Sequence, residues 1–308
     1  MATQQKNKPK GTNWSKYNKS LVDRGDITIW FSEEVIATWE HANDTPKVGR
    51  PYVFSDVAIE CLLTIRELLQ FPYRQTEGFA RSLVALLGVD IQVPHYSSLA
   101  KRAANLQVSL NVSKLKGPID LVVDSSGLKL FGEGEWKTRQ HGVGKRRTWR
   151  KVHLAVNPET QEIEAVVLTE NSGHDSDQVE PLLEQIQKSI DTFYGDGGYD
   201  NWKVYDGLAE RGIEAIIPPR KNAKIYQHGN SSSEPLIRDE AIRFIRKQGR
   251  PAWEEEVGYH RRNLAETAVY RFKETLNHRL KNRLLENQRT ETRLRCKILN
   301  YYTHLGLP

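Results

Sequence analysis

Apolar positions recur at helical spacing through the first third of the chain and at strand spacing beyond residue 118. Residues 55–70, SDVAIECLLTIRELLQ, place Val57, Cys61, Leu62, Ile65 and Leu69 on one helical face, with Ser55 as N-cap. Phe71-Pro72 ends that helix, because proline cannot extend the hydrogen-bond ladder. The pattern predicts a second helix over 74–87, stopped near Gly88, and a third over 98–107 after the turn Pro94-His95-Tyr96-Ser97. Three short helices with a basic last member suit a helix-turn-helix DNA reader, and also a small packing module that never meets DNA.

From Gly117-Pro118 the period changes. IDLVVD (119–124) is short, branched and apolar, the pattern of a buried central strand closed by Asp124. TWRKVHLAV (148–156) and IEAVVLT (163–169), joined by the turn-rich NPETQE, read as an antiparallel hairpin. A helix over 177–189 follows, with Val179, Leu182, Leu183 and Ile186 along one side. Then come the strand TFYGD (192–196), a helix ending at Gly212 and the strand IEAIIP (213–218). Residues 219–255 read as polar and irregular, and a long helix begins near 258 and runs past 280. This order predicts an α/β fold, a mixed sheet flanked by helices on both faces. The expected organisation is a flexible basic arm (1–12), a helical region (13–117), an α/β domain (118–285) and a helical tail (286–308). The tail would cover the core or form a subunit contact.

Composition narrows the class. With 308 residues, 38% hydrophobic and 27% charged, the chain can bury a core. Cys61 and Cys296 stand far apart without Cys-x-x-Cys spacing, which argues against a zinc site and a disulfide framework. No apolar run is long enough to span a membrane and no signal region opens the chain, so a soluble, cytoplasmic protein with no membrane partner is expected. The net charge of +6 is a weak hint of a polyanionic partner, and its distribution says more. Residues 1–20 carry five Lys and no acid. WKTRQHGVGKRRTWRK (136–151) carries seven cations and no acid, including Lys145, Arg146, Arg147 and Arg150. Either stretch also suits a solvated loop. Beside acidic catalytic candidates they favour phosphate contact, where each cation gains by counterion release.

Three carboxylates are those candidates. Asp124 follows an apolar strand and precedes Ser125-Ser126-Gly127, so it must face a cleft or find a partner. Asp196 has the same setting within Tyr194-Gly195-Asp196-Gly197-Gly198; Asp200 is its rival, ranked lower as the start of the next helix. Glu266 lies in GYHRRNLAETAVYRFKETLNHRLK, where Tyr259, Arg262, Glu266 and Lys273 have the spacing Tyr-x2-Arg-x3-Glu-x6-Lys. At about 100° per residue all four fall within roughly 60° of arc on one helical stripe. Leu264, Ala268, Val269, Phe272 and Leu276 point another way and can pack on the sheet.

The Tyr-Arg-Glu-Lys signature, with DSSGLK after the first strand and YGDGGYDN after the later one, resembles the DDE transposases of bacterial insertion sequences. It looks closest to the group typified by insertion sequence five. The resemblance implies a ribonuclease-H-like core, with Asp124, Asp196 and Glu266 as metal-binding triad and Tyr259, Arg262 and Lys273 on DNA near the scissile phosphate. It further implies two Mg²⁺ ions, for which Mn²⁺ can substitute, and double-stranded DNA as partner, both the terminal inverted repeats and the target. A homodimer or higher assembly on DNA is expected. The rivals are a ribonuclease-H-like nuclease that cuts without joining, a DNA-binding protein that has lost catalysis, and a site built on His141, His153 or His174, whose positions give no ligand spacing.

Overall fold

Capping side chains open the first helices. In a computed structural model, which describes residues 13–43, 51–114, 117–130, 149–227 and 235–306, Asn13 accepts from Lys16 N at 3.2 Å and opens α1 (Trp14–Asp23). Ser32 opens α2 (Glu33–Ala37), and Ser55 accepts from Ala58 N at 3.1 Å to open α3 (Asp56–Leu69). α3 stops on Gln70, in the left-handed region at φ 56°; Pro72 then leads into α4 (Tyr73–Leu87), which Gly88 ends at φ 66°. α5 (Tyr96–Ala103) starts earlier than its pattern predicts, because His95 caps it through Ser97 N, and it ends at Ala103, short of the expected 107. The buried side of α3 is also turned from the expected one. Cys61, Leu62 and Ile65 are buried, joined by Ala58, Ile59 and Leu63, while Val57 and Leu69 are exposed.

A mixed sheet follows, in the order β3-β2-β1-β4-β5, with β6 beside the far end of β1. β1 (Ile119–Leu130), β2 (Trp149–Val156) and β3 (Ile163–Glu170) form an antiparallel meander. After α6 (Val179–Leu183), β4 (Ile190–Tyr194) lies parallel to β1; after α7 (Trp202–Ala209), β5 (Glu214–Ile216) lies parallel to β4. This is the ribonuclease-H-like arrangement: three antiparallel strands extended by parallel ones. The expected helix over 177–189 is shorter than predicted, a 3-10 turn at Asp175–Gln178 running into the single turn of α6.

Residues 219–255, expected to be irregular, instead contain α8 (Ile237–Gln248) and α9 (Arg250–Glu256). α8 buries only Ala241 and Ile242 of its apolar residues, too few for its pattern to stand out. Pro251 sits in the first turn of α9, where no intrahelical N–H is needed. The expected long helix from 258 past 280 is also corrected. It is a 3-10 turn (Tyr259–Arg262), then α10 (Asn263–Leu276), broken at Asn277 (φ 79°) so that β6 (Arg279–Leu280) can pair with β1.

Both sheet faces are covered. Leu121, Val123, Phe193 and Ala155 pack against α6 and α7 on one side. On the other, Val122, Tyr194 and Ile216 meet Ala241, Trp253 and Ala265 of α8 to α10. Leu128, Leu154 and Val156 join a larger cluster with α3, α10 and the last helix, α11 (Leu285–His304). α11 packs on α3 and β3 and carries a buried charge cluster. Arg295, fully buried, meets Glu67 at 3.0 Å and Glu291 at 2.6 Å and donates to the carbonyls of Asn277 and Arg279. Buried charges survive when so fully paired, and this one pins the chain where it leaves α10.

Candidate active site

The strand expected to close at Asp124 continues six residues further, so Asp124 lies inside β1. It is accessible because one edge of β1 changes neighbour there. Val122 pairs with Tyr194, the last residue of β4, and the next pairing on that edge is Lys129 with Arg279 of β6. Between them no described strand flanks β1. The two-residue period puts Val122, Asp124, Ser126 and Leu128 on one face, the face crossed by α10. Small residues let the helix approach: Ala265 is fully enclosed against Val122 and Tyr194, and Ala268 is buried one turn on.

Asp196 arrives from the end of β4. Gly195 is tight there, since a Cβ would lie 3.0 Å from both the Phe193 and Tyr199 rings. The Asp196 carboxylate accepts from Gly198 N at 2.7 Å, opening the 3-10 turn Gly197–Tyr199.

One guanidinium collects all three acids. Arg262 lies 3.6 Å from the Asp124 carboxylate, 4.0 Å from Asp196 and 2.6 Å from Glu266. Lys273 donates to the Ser126 hydroxyl at 2.6 Å, two positions along from Asp124. Tyr259, although in the 3-10 turn and not in α10, donates to the Gly195 carbonyl at 3.3 Å and leans on Trp253. The structure therefore brings together Asp124, Asp196, Glu266, Tyr259, Arg262 and Lys273. Burial raises the Asp124 carboxyl above its ordinary range, with Asp196 and Glu266 adding to the shift and Ser125 N–H and Arg262 opposing it. Burial also pushes the Tyr259 phenol up to about 12, so it is a donor at neutral pH. Burial works against the charge on Arg262, yet Asp124, Tyr259, Glu266 and Asp196 outweigh it and raise its pKa.

Asp200 stands apart. It is buried, accepts from Arg220 N at 2.9 Å and pairs with Arg238 at 2.7 Å, while Asn201 caps the next helix. Arg150 turns inward, donating to Gln288 at 2.8 Å with Glu170 at 3.9 Å. Lys145, Arg146, Arg147 and His141 lie outside the described residues. His153 is fully buried, with Nε2 3.1 Å from the Thr169 hydroxyl.

A fourth acid joins the edge of the site unannounced. Asp175 lies 2.7 Å from Lys151 and 3.3 Å from His153 Nδ1. Burial would raise its carboxyl, but contacts with His153, Lys151 and Ser125 outweigh that and hold it below the usual carboxylate range. It adjoins Asp196: a Cβ on Gly198 would meet Asp196 at 2.8 Å and Asp175 at 3.6 Å. Asp175, Asp124 and Asp196 together raise the Tyr199 phenol further after burial. Strand register pairs Ser125 with His153, the 3-10 turn after β3 brings Asp175 to them, and no local sequence pattern announces the group.

In donor chemistry the site suits a hard divalent cation: three carboxylates face one positive charge, with no sulfur or imidazole among them. Among the described residues, no group of three or more His, Cys, Asp or Glu side chains stands close enough to grip one ion. The Arg262 guanidinium lies where the three acids converge.

Residues 115–302 match the transposase DDE domain family, and residues 22–133 match a second family of the same description. The chain belongs to the transposase DDE domain family. Membership implies a divalent cation and action on DNA for this transposase. The solved synaptic complex of piggyBac transposase with hairpin DNA is similar at 11% identity and a TM-score of 0.42, over 93% of this chain and 75% of that one, a likeness too loose to bear on the site. Among the described residues no helix is long and apolar enough to cross a membrane.

Proposed function

We propose that the protein is a DNA transposase of the insertion-sequence-five type, which binds its element ends, cuts them and joins the freed 3′-hydroxyls to target DNA. The observation that carries this reading is the contact of one arginine with all three acids of the motif. Asp124, Asp196 and Glu266 would hold two Mg²⁺, or Mn²⁺ in their place, and the bound cations would supply activation of the attacking oxygen and stabilisation of the leaving one.

The remaining residues act on the DNA. Arg262 exchanges carboxylates for a phosphate of the element end, a planar donor pair for an anion of matching geometry. Lys273, held by Ser126, neutralises a second phosphate. Tyr259, kept protonated, donates a hydrogen bond to the strand. The helical region through α5, with Lys101 exposed, serves as the DNA-gripping part, and the loop bearing Lys145, Arg146 and Arg147 adds phosphate contacts. Arg150 joins that loop's DNA contacts only by releasing Gln288. Two ends must be paired before joining, so the active species is a homodimer or higher assembly on DNA.

Glu266→Gln tests the triad. The variant keeps the side-chain volume and removes the charge, so it should bind element-end DNA as the wild type does and lose Mg²⁺-dependent cleavage. Undiminished cleavage by this variant would sink the assignment.

A further inference from the structure

A cleft of about 750 Å³ lies away from the acidic site, between the ends of α3 and α11, the first turn of α4 and the outer side of α5. Its walls are aromatic and its rim is cationic. Tyr73 and Tyr96 line it, each with a guanidinium over its ring: Arg66 at 4.3 Å from the Tyr73 centroid and Arg74 at 4.5 Å from that of Tyr96. Arg74, Lys101 and Arg283 are exposed at its edge and form no ion pair among the described residues. Among the described residues no acidic side chain lines this cleft, whereas the cleft beside α6 and α7 is lined by Glu180, Asp206 and Glu210.

Three polar atoms of its lining are buried without partners: Nε of Arg66, a residue only 3% exposed, Oε1 of Gln70 and Oδ1 of Asn287. The Gln70 amide nitrogen donates to the Glu67 and Leu276 carbonyls, which fixes Oε1 as the free acceptor. A buried donor and a buried acceptor left unmade are costly, and a ligand edge offering both kinds of group would satisfy them.

We propose that this cleft takes an unpaired nucleotide of a DNA strand: the base stacks among the tyrosine and guanidinium faces, and its flanking phosphates meet Arg74, Lys101 and Arg283. The inference rests on the transposase reading above. Base–aromatic stacking tolerates any sequence because every base has a π-face, and a cationic rim follows the backbone. Position fits as well. Gln70 binds the carbonyl of Leu276, the last residue of α10, and Glu266 lies roughly 15 Å back along that helix. At about 3.4 Å per nucleotide step, a strand leaving the acidic site reaches the cleft after roughly four or five nucleotides.

The test uses the full chain with two fluorescein-labelled probes, an oligothymidylate of roughly ten nucleotides and its abasic counterpart, read by anisotropy at one salt concentration. Stacking predicts that wild type prefers the oligothymidylate by roughly fivefold or more. Tyr96→Leu should abolish that preference by weakening the oligothymidylate, while its affinity for the abasic probe, which has no bases to stack, stays within about twofold of wild type. Arg74→Ala, at an exposed position, should weaken the preference without threatening the fold. Equal affinity for the two probes in wild type, or a preference intact in both variants, overturns the cleft assignment while duplex binding stands. Failure to bind DNA of any kind would overturn the transposase reading along with it.

Discussion

Arg262 places its guanidinium 3.6 Å from the Asp124 carboxylate, and the same group reaches Glu266 at 2.6 Å. Three acids gathered in a partly buried cleft repel one another, and a cation from within the chain relieves that repulsion. Arg262 thereby holds the site together before DNA arrives, and competes for the acids with any other cation. Arg262→Ala should bind Mn²⁺ more tightly than wild type in the absence of DNA, as read by calorimetry. The same variant should lose cleavage by roughly a hundredfold or more, the scale set by removing one charge-stabilising donor. Unchanged or weaker Mn²⁺ binding would show that the arginine does not compete for the acids.

Asp175 is expected to stabilise the fold in a pH-dependent way. Its carboxyl is depressed in the folded protein, so its contribution is complete above the unfolded value, about 3.9, and is lost as pH falls through the folded value. Asp175→Asn should cost about 1–3 kcal/mol near pH 7, by weakening the contacts to Lys151 and the buried His153. Denaturant unfolding from pH 7 down to about 3 should show the gap between variant and wild type closing below pH ~4. A gap independent of pH would mean that the Asp175 charge is not what matters.

How much of this site can be read from sequence depends on the range of the interactions. The Tyr-Arg-Glu-Lys spacing is local, so Arg262 and Glu266 meet as a one-turn pair, as the pattern implies. Asp124 and Asp196 are marked by apolar strands that stop at an acid. The stop is misleading at Asp124: pairing with β2 runs on through Lys129 although the apolar run has ended. What exposes Asp124 is the end of β4 at Tyr194, seventy residues away in the chain and invisible to a strand pattern. Asp175 is silent for the same reason, since its partners come from β1 and β2 through register. In the fold, α8 and α9 escape notice because charged residues dominate them and Gly249 and Pro251 interrupt the pattern. The break at Asn277 depends on β6 finding the end of β1, another long-range pairing.

The basic loop carries a separate expectation. Neutralising Lys145, Arg146 and Arg147 together should weaken DNA binding and flatten its salt dependence. If all three meet phosphates, the slope of log affinity against log salt falls by roughly 2–3. Titrations of one duplex at several salt concentrations measure this directly. An unaltered slope would return the loop to a solvated surface role.

Asp124, Asp196 and Glu266 are proposed to form one centre that both cuts and joins DNA. The most direct test mixes purified protein, labelled element-end DNA, a target plasmid and Mg²⁺, and resolves cut from joined products for wild type and Asp124→Asn. Joined strands are expected from wild type and neither product from the variant, with DNA binding retained. Joined strands from Asp124→Asn at the wild-type level would contradict this assignment.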